Sequence, residues 1–139
     1  MSDRRFRILL SRDDWYHQRG YWVVASALSQ AGMEVILGGV QTPAEIAQTA
    51  LTEDVDMIGF RLMNAAPEVI VGILFDELKK KDIEDIPVVL GGIIPDKDEK
   101  NLRAMGVKEI FRQFDGLEML GLRCGVIARE ALERRNRPS

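Results

Sequence analysis

Cysteine and histidine each occur once in the 139 residues, as Cys124 and His17. A single thiol excludes an intramolecular disulfide and a cysteine zinc cluster. Basic residues are not in excess: 19 Lys and Arg stand against 22 Asp and Glu, for a net charge of −3. A nucleic-acid binder needs a basic face to displace counterions, so that class is set aside. Long apolar runs are also missing. Ile8-Leu9-Leu10, behind the charged start, is too short for a signal-peptide core or a bilayer span. No membrane partner is expected, and the expected setting is a reducing, cytoplasmic one. Neither G-x-G-x-x-G nor a P-loop occurs, which argues against nucleotide binding. Repeats, linkers and low-complexity tracts are lacking, and only residues 134–139 are polar enough to be loose.

What remains is ordinary globular composition, 46% hydrophobic and 29% charged. The length suits one domain covering residues 1–139. Along it, short apolar runs alternate with helical patterns. Residues 6–10, 33–37, 56–60, 86–90 and 107–111 read as strands. Residues 20–31, 42–53, 67–80, 96–105 and 116–134 read as helices. Gly32 and Gly106 sit where helices end, and Thr42-Pro43-Ala44-Glu45 is a capping box with proline at the first helical position. Val23, Val24, Ala27 and Leu28 are expected to face inward from the first helix, and Ile46, Ala47, Ala50 and Leu51 from the second. From the third, Val69, Ile70, Ile73, Leu74 and Leu78 are the expected core residues. Strict alternation of strand and helix means βαβ units and a parallel sheet. The expectation is an α/β, flavodoxin-like, doubly wound five-stranded sheet of order 2-1-3-4-5, with helices on both faces.

Ligands of such sheets lie beyond the carboxyl ends of the strands, near the switch point between strands one and three. The loops there are residues 11–19, 61–66 and 91–96, with 112–115 further out. A phosphorylated receiver domain would need an aspartate at the end of strand three, where Phe60-Arg61 stands. A flavodoxin would need a Ser/Thr-rich first loop, whereas Arg12-Asp13-Asp14-Trp15-Tyr16 is acidic and aromatic. The only histidine, both tryptophans and both tyrosines fall between Trp15 and Trp22. That cluster reads either as local or interface packing, or as a metal-ligating imidazole beside planar stacking surfaces.

Four stretches carry a resemblance: His17-Gln18-Arg19-Gly20, Gln41-Thr42-Pro43-Ala44-Glu45, Val88-Val89-Leu90-Gly91-Gly92-Ile93-Ile94-Pro95 and Gly106-Val107-Lys108-Glu109-Ile110-Phe111. In this order, from about Arg7 to Leu132, the chain resembles the cobalamin-binding domain, or small subunit, of adenosylcobalamin-dependent acyl-CoA mutases of the methylmalonyl-CoA mutase type. In that family a first-loop D-x-H-x-x-G supplies a histidine beneath cobalt, and the displaced benzimidazole tail enters a slot between strands one and three. The resemblance makes His17 the cobalt ligand and Gly20 the motif glycine, with Trp15 at the aspartate position. The family's S-x-L becomes Arg61-Leu62-Met63, whose Arg61 and Met63 narrow the slot. Gly91-Gly92 matches a glycine pair that lets the tail approach the backbone, although it also reads as a plain strand-to-loop turn. A small turn after strand five is replaced by Arg112-Gln113-Phe114, with Phe114 closing space. Arg61 and the Trp15 loop are expected to occupy part of the tail's space, and the isolated chain to bind weakly.

The resemblance thus implies a cobalamin-binding, adenosylcobalamin-carrying small subunit of a mutase (an isomerase), inactive without a catalytic barrel subunit. The partner is a large catalytic mutase subunit, or a second copy in a homo-oligomer. The other reading is a degenerate relative that no longer binds the cofactor in the usual mode. It serves as a structural, regulatory or assembly partner, or holds another planar ligand among Trp15, Tyr16 and His17.

Overall fold

The computed structural model describes residues 6–16, 18–64, 66–112 and 116–135. The elements follow in strict alternation: β1 (Arg7–Arg12), α1 (Gln18–Gln30), β2 (Glu34–Val40), α2 (Pro43–Thr52), β3 (Met57–Leu62), α3 (Pro67–Lys80), β4 (Val88–Gly92), α4 (Asp96–Met105), β5 (Glu109–Phe111) and α5 (Leu117–Arg135). The five strands form one sheet of order β2-β1-β3-β4-β5, and every pairing is parallel. This is the doubly wound arrangement that the alternation predicts. None of the described helices is long and apolar enough to cross a membrane.

Local signals act where expected. At the start of α2 the Glu45 N–H donates to Thr42 Oγ1 at 3.2 Å, and the Thr42 N–H donates to Glu45 Oε1 at 2.9 Å. This reciprocal pair satisfies two helix-end donors. Gly106 ends α4 at φ 124°, a conformation that a side chain would strain.

Each face of the sheet carries its own apolar layer. Ile58, Phe60, Leu62, Val88 and Leu90 point toward α2, α3 and α4, where they meet Ile46, Val71, Leu74 and Leu102. Ile8, Leu10, Met57, Val89 and Phe111 point the other way, toward Tyr21, Ala25 and Leu28 of α1 and Leu120, Cys124 and Ala128 of α5. Burying one such large side chain contributes about 1.5–3 kcal/mol.

Two expectations need correction. Leu28 of α1, Ile46, Ala47 and Ala50 of α2, and Leu74 and Leu78 of α3 are buried as expected, but part of each predicted face is not. Leu51, Val69 and Ile73 are exposed, as is Val23, while Tyr21, Ala25 and Val71 are buried instead. α3 is apolar most of the way round, so periodicity alone does not choose its buried stripe.

The strands also run past their apolar runs. β1, β3 and β4 end at Arg12, Leu62 and Gly92. Ser11, Arg12, Arg61, Leu62, Gly91 and Gly92, expected in loops, are therefore strand residues. Ladder hydrogen bonds are made by backbone groups and do not require apolar side chains. Pairing therefore continues through Ser11↔Phe60, Arg12↔Arg61 and Arg61↔Gly91.

Candidate functional site

The prolonged strands build the carboxyl edge of the sheet, and one residue ties its first two loops together. The Asp13 N–H donates to the Arg61 carbonyl at 3.1 Å. The Asp13 carboxylate accepts from the N–H groups of Met63 at 2.8 Å and Asn64 at 3.1 Å. Charge-assisted bonds of this kind are the strong ones. Asp14 is buried behind it, while Trp15 and Tyr16 are 66% and 88% exposed. Gln18 Nε2 donates back to the Trp15 carbonyl at 3.1 Å. His17 lies outside the described residues, as do Gln113 and Phe114.

Beneath that edge, between the sheet and the pair α1 and α5, lies a cavity of about 510 Å³. Its floor is Ile8, Leu10, Gly59, Val89, Gly91 and Phe111, and its walls include Val24, Leu28, Leu120 and Cys124. At the strand ends it is lined by Arg61, Met63, Gly92 and Arg112. The lining is largely hydrocarbon, which suits a flat apolar group with a polar end toward the rim.

The two glycines of the pair have different reasons to be glycine. At Gly91 an added Cβ would meet nothing closer than the Phe111 carbonyl oxygen, at 3.7 Å, an ordinary contact. The missing side chain is simply cavity space. Gly92 has φ +99°, and an added Cβ would overlap the Leu62 carbonyl. The backbone turn there, sealed by the Ile93 N–H donating to Leu62 O at 2.8 Å, requires it.

Gly59 was not among the sequence candidates. It sits in the floor, where a Cβ would reach 3.1 Å from Leu10 Cδ1. The signal was available: a glycine inside an apolar strand run marks a close approach. Cys124 was missed as well. Burial pushes its thiol up to about 12, so it contributes an apolar wall rather than a nucleophile.

Arg61 reaches back over α1. A Cβ on Gly20 would come within 2.8 Å of Arg61 Cζ. Gly20, expected to open the helix, is its third residue. Arg61 lines the cavity at the strand ends, and the space over Gly59 and Gly91 stays open below it. Trp15 and Gly20 do not line this cavity; the loop, held by Asp13, carries the Trp15 ring outward. Burial draws the Arg61 pKa down, with Asp14 opposing that shift, Arg12 adding to it and Asp13 again opposing. Arg112 is held sideways. Its Nη1 lies 2.9 Å from Glu99 and its Nη2 3.3 Å from Asp96. Among the described residues no group of three His, Cys, Asp or Glu could hold a metal ion.

Comparison with known proteins gives this geometry a family. Residues 8–118 match the family model described as the B12 binding domain. The chain is 40% identical over 115 residues to the 2-hydroxyisobutanoyl-CoA mutase small subunit of Aquincola tertiaricarbonis, covering 81% of this chain and 85% of that one. It is 42% identical over 96 residues to the methylmalonyl-CoA mutase of Rhizobium meliloti, where the match spans 68% of this chain and 14% of that enzyme. Among solved structures it is similar to the signal receiver domain of a Luxo repressor protein from Vibrio parahaemolyticus, with a TM-score of 0.73 at 16% identity, covering 97% of this chain and 99% of that one. That likeness is one of fold alone, since Arg61 and its neighbours offer no phosphorylatable carboxylate at the end of β3. By the extent of the family match and the identity to whole and partial mutase chains, this protein belongs to the B12-binding domain family.

Proposed function

We propose that this chain is the cobalamin-carrying small subunit of an adenosylcobalamin-dependent acyl-CoA mutase, active only with a large catalytic subunit. The observation that carries the reading is the cavity over Gly59 and Gly91, open to the carboxyl edge of the sheet beside the first loop. Its floor and walls fit a flat heterocycle, and Gly91 contributes room that neither backbone strain nor a neighbour demands. The kinship with a small subunit and with segments of longer mutases supports a separate catalytic partner.

In this reading His17, next to Gln18 at the start of α1, is the lower cobalt ligand. Asp13 holds the first loop against β3. Leu10, Val89 and Phe111 exclude water from the tail. Gly91 leaves the tail its space. Arg61 and Met63 define the rim. Bound cobalamin supplies the carbon-radical chemistry; the chain's own residues bind, orient and desolvate it. Trp15 at the motif's aspartate position removes a carboxylate that would orient the imidazole, and losing such a partner commonly lowers metal affinity about 10–100-fold.

The test is titration of the chain with adenosylcobalamin, followed by visible absorbance and tryptophan quenching, beside His17→Ala and with a candidate large subunit added. Binding that is lost in His17→Ala, and mutase activity only in the mixture, are the expected results. Unchanged binding in His17→Ala removes His17 as the ligand. No binding in any mixture leaves the structural or assembly-partner reading.

A further inference from the structure

The layer of α1 and α5 packs on the sheet with its inner side and shows apolar side chains on its outer side as well. Leu122, Met119 and Val126 of α5 are 65%, 49% and 48% exposed, and Val23 of α1 is 40% exposed. Between Arg19 and Glu34 the chain carries no charge, so α1 adds little polarity to them. Apolar residues scattered singly over a surface need no explanation, but these adjoin.

They flank a groove of about 570 Å³ between the two helices, with Val23, Ala27, Gln30, Ala31, Gly121 and Leu122 in its lining. Gly121 lets α5 come close to α1 there: an added Cβ would lie 2.8 Å from Ala31 Cβ. The sheet does not use this side of α5, which docks through Leu120, Cys124 and Ala128. Met119, Leu122 and Val126 line no part of the cavity over Gly59 and Gly91. The outer face is therefore separate from the candidate cofactor site.

The charges on α5 select the occupant. Glu118 and Arg129 are both exposed and bracket Leu122 and Val126 along the helix. Residues spaced by three and four share a helix face, so 118, 122, 125, 126 and 129 form one stripe. Consider two such helices laid antiparallel about a two-fold axis between residues 123 and 124. Leu122 then stands opposite Gly125, and Val126 opposite Gly121. In the same register Glu118 of each copy stands opposite Arg129 of the other. Bulk meets a missing side chain, and each charge meets its opposite. A match that survives reversal of direction is what an isologous interface requires. The size also suffices. α1 and α5 are about 20 Å and about 28 Å long. A face two helices wide and of that length offers on the order of 700 Å² per copy, near the share of one partner in a standard interface.

We propose that the outer face of α1 and α5 is a homodimer interface, occupied by a second copy of this chain with the two α5 helices antiparallel across the axis. The inference does not rest on the cobalamin reading, and its test needs no corrinoid.

The test is the mass of the full chain in solution, by sedimentation velocity and light scattering from low to high micromolar concentration. The wild type is expected to be a dimer that dissociates on dilution. Leu122→Glu places an unpaired carboxylate from each copy in the interface and is expected to weaken the dimer at least about 100-fold. Val126→Lys is expected to do the same. Both side chains are exposed in the single copy, so circular dichroism is expected to show folded monomers. Glu118→Arg and Arg129→Glu each set like charges opposite one another twice, and are expected to weaken the dimer about tenfold. The double variant restores opposite charges and is expected to return to within about twofold of the wild type. A wild type that is monomeric at every concentration overturns the proposal. So does a dimer that survives both Leu122→Glu and Val126→Lys, because the contact then lies elsewhere. Absence of rescue in the double charge variant overturns the antiparallel register and, with it, the argument for a second copy. A monomeric wild type whose association with a candidate large subunit is lost in Leu122→Glu gives the face to that subunit, and the proposal falls.

Discussion

Arg61 and Gly20 share one volume: the guanidinium of the first lies where a side chain on the second would begin, with Cζ 2.8 Å from an ideal Cβ. The pair joins the end of β3 to the first turn of α1. It couples Gly20 in the first turn of α1 to Arg61 near the end of β3.

That coupling is measurable. Gly20→Ala in the wild type gains helix propensity, about 1 kcal/mol, but must push Arg61 aside. The expected net change in stability is close to zero. In an Arg61→Ser background the obstacle is gone, and Gly20→Ala is expected to stabilise by about 1 kcal/mol. A double-mutant cycle from urea unfolding reads the difference. Identical effects of Gly20→Ala in both backgrounds would contradict the shared volume.

The glycine pair gives a second test. Gly91→Ala has room and an ordinary backbone, so the melting temperature is expected to change little, while cobalamin affinity falls because cavity space is lost. Gly92→Ala must adopt φ +99° and overlap Leu62, and is expected to lose about 1–3 kcal/mol or more of stability. Thermal melts of the two variants check this. Equal losses would mean that the cavity does not reach Gly91.

Glu109 anchors a surface network that closes β5 against α4 and α5. Its Oε1 lies 2.8 Å from Arg103 Nη2 and 2.6 Å from Arg123 Nη2. Burial alone would raise its pKa, but the hydrogen bonds from Arg103 and Arg123 outweigh this and hold it below the usual value. A depressed folded-state pKa contributes stability above the unfolded value, and that contribution is lost as pH falls through the folded one. Glu109→Gln is expected to cost about 1.5–3 kcal/mol at neutral pH and to flatten the acid limb of the stability curve. Parallel acid limbs for wild type and variant in pH-dependent denaturation would refute this.

Cys124 is expected to be silent in the native protein. With its thiol pushed up to about 12 by burial, a disulfide reagent at pH 8 should label it only after unfolding. The sign also runs the other way from Glu109. The folded state holds the proton longer than the unfolded one, so this group removes stability as pH climbs from about 9 toward 12. Cys124→Ala is expected to lessen that alkaline loss. Rapid labelling of the folded chain would mean that the cavity wall opens.

The strand order was legible in the sequence because βα alternation, helix caps and short apolar runs are local properties, and right-handed crossovers leave few topologies for them. The family was legible for the same reason, in motifs of a few residues each. The tertiary structure decided the rest. α3 carries apolar residues at Val69, Ile70, Val71, Ile73 and Leu74, and only its docking on the sheet selects Val71 and Leu74 and leaves Val69 and Ile73 in water. Gly91 and Gly92 are indistinguishable as letters. The pairing Leu62↔Gly92 makes one a backbone requirement and leaves the other as empty space. Arg12 and Arg61 read as loop residues far apart in the chain. Parallel pairing of β1 with β3, a contact between segments that local sequence does not link, makes them neighbours at the carboxyl edge of the sheet.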